Sequence, residues 1–373
     1  MESQRPFRWP FVAVLTVLVH VGLWFLFAFD DALAQTAQPA AAQISSKNIL
    51  LLHSYGHGGK GVAQFDEGLV NTLNHGGINT NQLYFEHLDL ERNRSDPKYL
   101  THLRDELRHK YAAHKIDAIL TVQQPALAWL LTEGAQIAPQ APVVTIQAQA
   151  PNPAEAGSRR FVSIFAEFDV TGTLNLALKL FPRTTQVMLV AGDSKADIRL
   201  AQKTELSLAS LNKSLVVEST VGMPFDRMIE RISTLSEQTI ILFLQYNRDS
   251  VGLVMASYEV EKEVAGRANV PVFGLFDLNL FNGGIGGSLI SVKGLGEKAG
   301  TTLLDLISGK MRLTEPVTIS EVTAVPMLNW EEIKRWNGDR SALPSDTVYF
   351  NRTLTLWEQY SFYIAGLAIF VFA

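Results

Sequence analysis

From Asn48 onward the chain alternates short β-rich runs with helical patterns: "NILLLHSY" (48–55), a helix near 62–75, "NQLYFEHLD" (81–89), a helix capped by Asp96 with Pro97 in its first turn, "DAILTVQ" (117–123), a helix from Pro125, and "PVVTIQAQ" (142–149). Strands separated by helices of about 10 to 15 residues cannot be paired by hairpin turns. They form βαβ units on a parallel sheet. The runs are apolar without alternation, as strands buried on both faces are.

A stretch rich in Pro, Ala and Gly, "QAPNPAEAGSRR" (149–160), interrupts the pattern, which then restarts: helix 170–181, "TQVMLVAGD" (185–193), helix 195–210, "SLVVEST" (214–220), helix 224–235, "TIILFLQYN" (239–247), helix 251–267 and "VPVFGLFD" (270–277). A pattern that occurs twice predicts an α/β molecule of two Rossmann-like lobes with parallel sheets. The strand ends of each lobe would face a shared cleft. The expected boundaries are 46–160 plus 280–310 for the first lobe and 161–278 plus 311–350 for the second. The chain would cross near 150–165, 278–284 and 310–318, with helix 297–309 returning to the first lobe and "VTISEVTAVPM" pairing beside the second.

The ends have a different character. Residues 11–29, "FVAVLTVLVHVGLWFLFAF", come after Arg5 and Arg8 and are apolar except for His20, while Ala32-Leu33-Ala34 fits the small-x-small rule of signal peptidase. Residues 1–34 therefore read as a signal peptide or a signal anchor that exports the chain beyond it. At the other end Trp357, Tyr360, Phe362 and Tyr363 give way to the apolar run 364–373. That order is expected on entering a bilayer, and a span needs about 20 residues. Residues 357–373 read as the start of a transmembrane helix.

Lys and Arg (32) are scattered and outnumbered by Asp and Glu (37), so a nucleic-acid surface is not expected. With no cysteine, disulfides, thiolate metal sites and cysteine nucleophiles are excluded together.

Two glycine motifs invite a phosphate reading. "SYGHGGKG" (54–61) lies between a strand and a helix but lacks the GxxxxGK[ST] spacing, so a loop at the cleft rim is preferred. His53 and His57 straddle a strand end and a loop, which does not bring them together as metal ligands; no metal site or cofactor is expected. "GLGEKAG" (294–300) has GxGxxxG spacing in place of the dinucleotide fingerprint and reads as a structural turn. No GxSxG elbow, HExxH helix or kinase ATP loop occurs, and no catalytic residue is assigned.

Ligands of open α/β sheets bind beyond the carboxyl ends of the strands. The residues there are Ser54, Tyr55, Gln123, Gln124, Gln147, Asp193, Ser194, Gln245, Tyr246 and Asp277. Amides, hydroxyls, two rings and two acids, without a nucleophile and base, suit a small polar or aromatic ligand.

"GLFDLNLFNGGIGGSLISVKGLGEKAGTTLLDLISGK" (274–310), the tail "PMLNWEEIKRWNGDRSALPSDTVYFNRTLTLWEQYSFYIAG" (326–366) and the opening "ILLLHSYGHG" resemble the periplasmic sensor region of bacterial membrane receptors related to ABC-transporter substrate-binding proteins. The resemblance spans about residues 48–373. It implies a type I periplasmic-binding fold in the periplasm, held at the inner membrane and followed in such receptors by a histidine kinase, PAS or diguanylate cyclase module; here any catalytic kinase or cyclase module would lie beyond residue 373. It also implies no enzymatic activity in these residues, with a homodimer through the membrane-proximal region as one arrangement open to them. A soluble substrate-binding component of an ABC importer is the alternative.

Overall fold

A computed structural model describes residues 45–353 and Tyr360, apart from 57, 94, 148–158, 211–214 and 342. The expected segments 1–34 and, Tyr360 aside, 357–373 lie outside the described residues, and among those described no helix is long and apolar enough to cross a membrane.

Two sheets form the two lobes. The first is wholly parallel and contains β1 (Ile49–His53), β2 (Leu83–His87), β3 (Ala118–Val122), β4 (Val143–Gln147), β5 (Phe161–Ala166) and β11 (Val317–Val322), in the order β11-β5-β4-β3-β1-β2. The second contains β6 (Gln186–Val190), β7 (Val216–Ser219), β8 (Thr239–Phe243), β9 (Val272–Phe273), β10 (Gly286–Leu289), β12 (Val325–Asn329) and β13 (Val348–Phe350), in the order β13-β12-β10-β9-β8-β6-β7. Its direction reverses at the antiparallel pairing of β12 with β10.

The helices that return the chain between strands are α1 (Lys60–His75), α2 (Pro97–Tyr111), α3 (Gln124–Leu131), α4 (Val170–Leu180), α5 (Lys195–Ser210), α6 (Phe225–Ile232), α7 (Ser257–Arg267) and α8 (Val292–Ile307); α9 (Trp330–Arg335) comes directly after β12. Asp96 caps α2 through the amides of Lys98 and Tyr99.

Both faces of each sheet are buried. Ile49 and Leu51 face a core under α1 and α8, and Leu50 and Leu52 face one under α2 and α3. The second sheet repeats this, with Val187 and Leu189 on one face and Met188 and Val190 on the other. Each fully buried Leu, Ile or Val contributes about 1.5–3 kcal/mol, so four such layers stabilise two independent cores.

The chain crosses between lobes three times: between β5 and α4, between β10 and α8, and between β11 and β12. The crossings fall later than the sequence suggests, because β5 pairs with β4 and β11 pairs with β5, which puts both in the first sheet. A break such as 149–160 marks a loop; it does not say which sheet the next strand joins. Only the second half of "VTISEVTAVPM", β12, lies in the second sheet.

The "GLGEKAG" motif is no turn, since residues 294–300 lie inside α8. A Cβ on Gly296 would collide with the carbonyl oxygen of Phe65, and one on Gly68 with that of Lys293. The glycines let α8 and α1 pack backbone to backbone, which fixes the returning helix on the first lobe.

Candidate functional site

An open cleft of about 1430 Å³ lies between the lobes at the carboxyl ends of their strands. It exceeds the roughly 300–1,000 Å³ of a typical ligand pocket. Three kinds of surface meet there: first-lobe strand ends, the crossing strands and the start of α5.

The first-lobe wall consists of Tyr55, Gln123, Gln124, Pro125 and Gln147. Gln123 has φ 76° and ψ 155°, a region almost reserved for glycine, and such strain costs of order 1–3 kcal/mol where a non-glycine residue holds it. Ser54 maintains this turn. Its buried hydroxyl donates to the carbonyl of Val122 at 2.8 Å and accepts from the amide of Ala126 at 2.9 Å, tying the end of β1 to the start of α3. The side-chain amides of Gln123 and Gln124 form no hydrogen bond among the described residues, whereas that of Gln147 reaches Thr145 at 3.4 Å.

On the second lobe the wall is built by Ser194, Gln245, Asn247 and one face of α5. Asp197, fully buried, organises it: its carboxylate accepts from the amides of Ser194 and Asn247 and from Asn247 Nδ2 at 2.8 Å. Burial raises this carboxyl above the usual range, against the opposing pull of the Asn247 and Ser194 hydrogen bonds. In return Ser194 Oγ accepts from the amide of Asp197 at 3.2 Å and starts α5. The crossing strands add Phe165, Glu167, Phe168, Asp169 and Glu321.

Of the ten residues expected at the strand ends, Tyr55, Gln123, Gln124, Gln147, Ser194 and Gln245 line the cleft. The other four are turned to structural tasks. Ser54 lies beneath the wall and holds its turn. Asp193 Oδ1 accepts from the amide of Gly222 at 3.1 Å, and Asp277 Oδ1 from that of Val292 at 3.1 Å, where α8 begins. Tyr246, in the segment just after β8, is 1% exposed and packs in the core against Phe225, while its neighbour Gln245 lines the cleft. Burial, with Asp249, Asp197 and Asp193 nearby, pushes its hydroxyl above the ordinary phenol range.

Sequence reasoning missed Lys195, Arg199 and Lys203, whose spacing of four on α5 was the available signal. It also missed Glu167, Asp169 and Glu321, which lie on crossing segments. Elsewhere, His53 is buried with Nε2 at 3.1 Å from Asp66 Oδ1 and its ring stacked on His87. Among the described residues no group of three His, Cys, Asp or Glu is arranged to hold a metal ion.

No family model and no curated protein matches this sequence. The chain has a type I periplasmic-binding-protein-like fold. Solved structures similar to it include the ABC domain of a Streptococcus pneumoniae protein in complex with L-Trp, at TM-score 0.60 and 12% identity, covering 81% of this chain and 99% of that one. A conserved domain protein from Vibrio cholerae aligns at TM-score 0.58 and 13% identity, covering 81% and 99%. A substrate-binding protein with adhesive properties from Clostridium difficile, in its ligand-free, open form, aligns at TM-score 0.56 and 16% identity, covering 82% and 100%. At such identities the likeness is one of fold.

Proposed function

We propose that the two lobes form the extracytoplasmic small-molecule-binding region of a bacterial membrane receptor, closing on ligand and passing the movement to a membrane helix made by the C-terminal apolar segment. The main domain would lie in the periplasm at the inner membrane, and the region itself would catalyse nothing. One observation carries the reading: the cleft is walled from both lobes, with side-chain amides at Gln123, Gln124 and Gln245 free of hydrogen bonds among the described residues, and three crossings join the walls. A ligand shifts such an equilibrium only through contacts made in the closed state, so residues from both lobes decide affinity.

The neighbours support ligand binding by the fold, since one holds L-Trp and another is named a substrate-binding protein. The receptor reading rests on the sequence of the ends, where Trp357 and Tyr360 precede an apolar run. A homodimer through the membrane-proximal region would suit it. The second reading, a soluble importer component, is favoured by the Ala32-Leu33-Ala34 site.

Fractionating cells that express the chain, with N-terminal sequencing of the product, separates the two. Membrane-bound protein that resists carbonate extraction is expected. A soluble periplasmic species beginning at Gln35 would overturn the receptor reading and favour the importer.

A further inference from the structure

We propose that the cleft is built for a small organic anion, with Lys195 and Arg199 on α5 as the residues that read its carboxylate. The inference rests on the binding role of the cleft and names the ligand class for that same site.

Three cations four residues apart, Lys195, Arg199 and Lys203, line the second-lobe wall. Lys203 is neutralised by Glu167 at 2.5 Å. Lys195 and Arg199 are exposed to the cleft and have no ion pair or hydrogen bond among the described residues. Like charges at this helical spacing repel, so nothing in the open form favours their being together.

Opposite them stands a wall without charge: Tyr55, Gln123, Gln124 and Gln147. Closing the lobes on an empty cleft would take two cations out of water and face them with neutral groups, which is unfavourable unless a counter-charge accompanies them. Of the cleft acids, Glu167 is engaged by Lys203, and Asp169 accepts from the Gly172 amide and from Ser288 Oγ at 2.7 Å. Glu321, on the crossing strand β11, is the acid left without a partner among the described residues.

A ligand carboxylate between α5 and the amide wall supplies the missing charge. It would take the planar fork of Arg199 and the ammonium of Lys195 on one side, while the glutamine amides bind its polar substituents on the other. Phe165, Phe168 and Tyr55 leave room for an apolar or aromatic body. Closure is thereby gated by the anion, since the energy that drives it is present only when the anion is bound.

The test is a thermal-shift and calorimetric panel on the full chain, purified in detergent micelles. Succinate, 4-hydroxybenzoate and L-glutamate are the acidic probes, and glucose, glycerol and uridine the neutral ones. At least one acidic probe should bind, with affinity falling as NaCl rises from about 20 to about 500 mM. Arg199→Gln and Lys195→Gln should each weaken that binding about tenfold or more without lowering the ligand-free melting temperature. Arg227→Gln, a surface change on α6, should leave it as it is. Binding of a neutral probe that is insensitive to both substitutions would keep the binding role and overturn the anion assignment. A folded protein that responds to none of the six would count against the binding role, and this assignment with it. If Glu321 already closes on these cations, Glu321→Gln would alter the ligand-free scattering curve, which would also overturn it.

Discussion

Ser54 and Ala126 are 72 residues apart, yet the Ser54 hydroxyl accepts the Ala126 amide at 2.9 Å in a buried site. Through that bond and its own donation to Val122, the first strand end fixes the turn that carries Gln123 and Gln124 into the cleft. Ser54→Ala leaves a buried N–H unpaired and should cost about 1–3 kcal/mol, measured by urea unfolding. Ligand binding should weaken along with it, because the strained turn loses its tie. Unchanged stability would mean that the turn holds itself.

Gln123 supplies a second test. Replacing it by glycine removes the strain of φ 76° but adds chain entropy to the unfolded state, so stability should stay level or rise by about 1 kcal/mol. Ligand affinity should fall. A loss of stability would show that the Gln123 side chain supports the fold more than it serves the cleft.

Stability should depend on pH through Glu261. This side chain on α7 is 1% exposed beside the loop that precedes β10, accepts from Asn282 Nδ2 at 3.0 Å, and is pushed up to about 7 by burial. Its pKa is raised on folding, so the native state holds a proton that the unfolded state has released between about pH 4.5 and 7, and stability falls as pH rises through that window. The full loss above it is about 3 kcal/mol at most. Glu261→Gln should flatten the curve and raise the melting temperature at pH 8; a slope that persists in the variant would assign it to other groups.

Gly296 faces the Phe65 carbonyl at a distance no Cβ tolerates. Gly296→Ala should separate α8 from α1 and cost about 1–3 kcal/mol or more by denaturant unfolding. A neutral result would mean that the two helices slide apart freely.

The alternation of β runs and helices makes the two-lobed α/β form legible in the sequence, because strands buried on both faces leave short apolar runs such as "ILLL" between helical patterns. Sheet membership is harder to read. Phe161–Ala166 has the same buried character in either lobe, and only pairing with β4 assigns it. At the cleft, residues at strand ends are readable as a group, but the side each one faces is not. Gln245 and Tyr246 are neighbours on opposite faces, and Asp193 and Asp277 fold back on backbone amides that sequence does not locate. Lys195 and Arg199 look like any solvated helix face until the opposite wall is seen to carry no charge.

Lobe closure itself can be measured with spin labels. The chain has no cysteine, so Lys98→Cys on the first lobe and Val251→Cys on the second, both exposed positions, carry all of the label. Pulsed electron resonance then gives the distance between lobes with and without the acidic probe that stabilises the protein. A distribution that shortens and narrows on saturation, and does so less in Arg199→Gln at the same probe concentration, is the result lobe closure predicts. An unchanged distribution while calorimetry registers binding would contradict it.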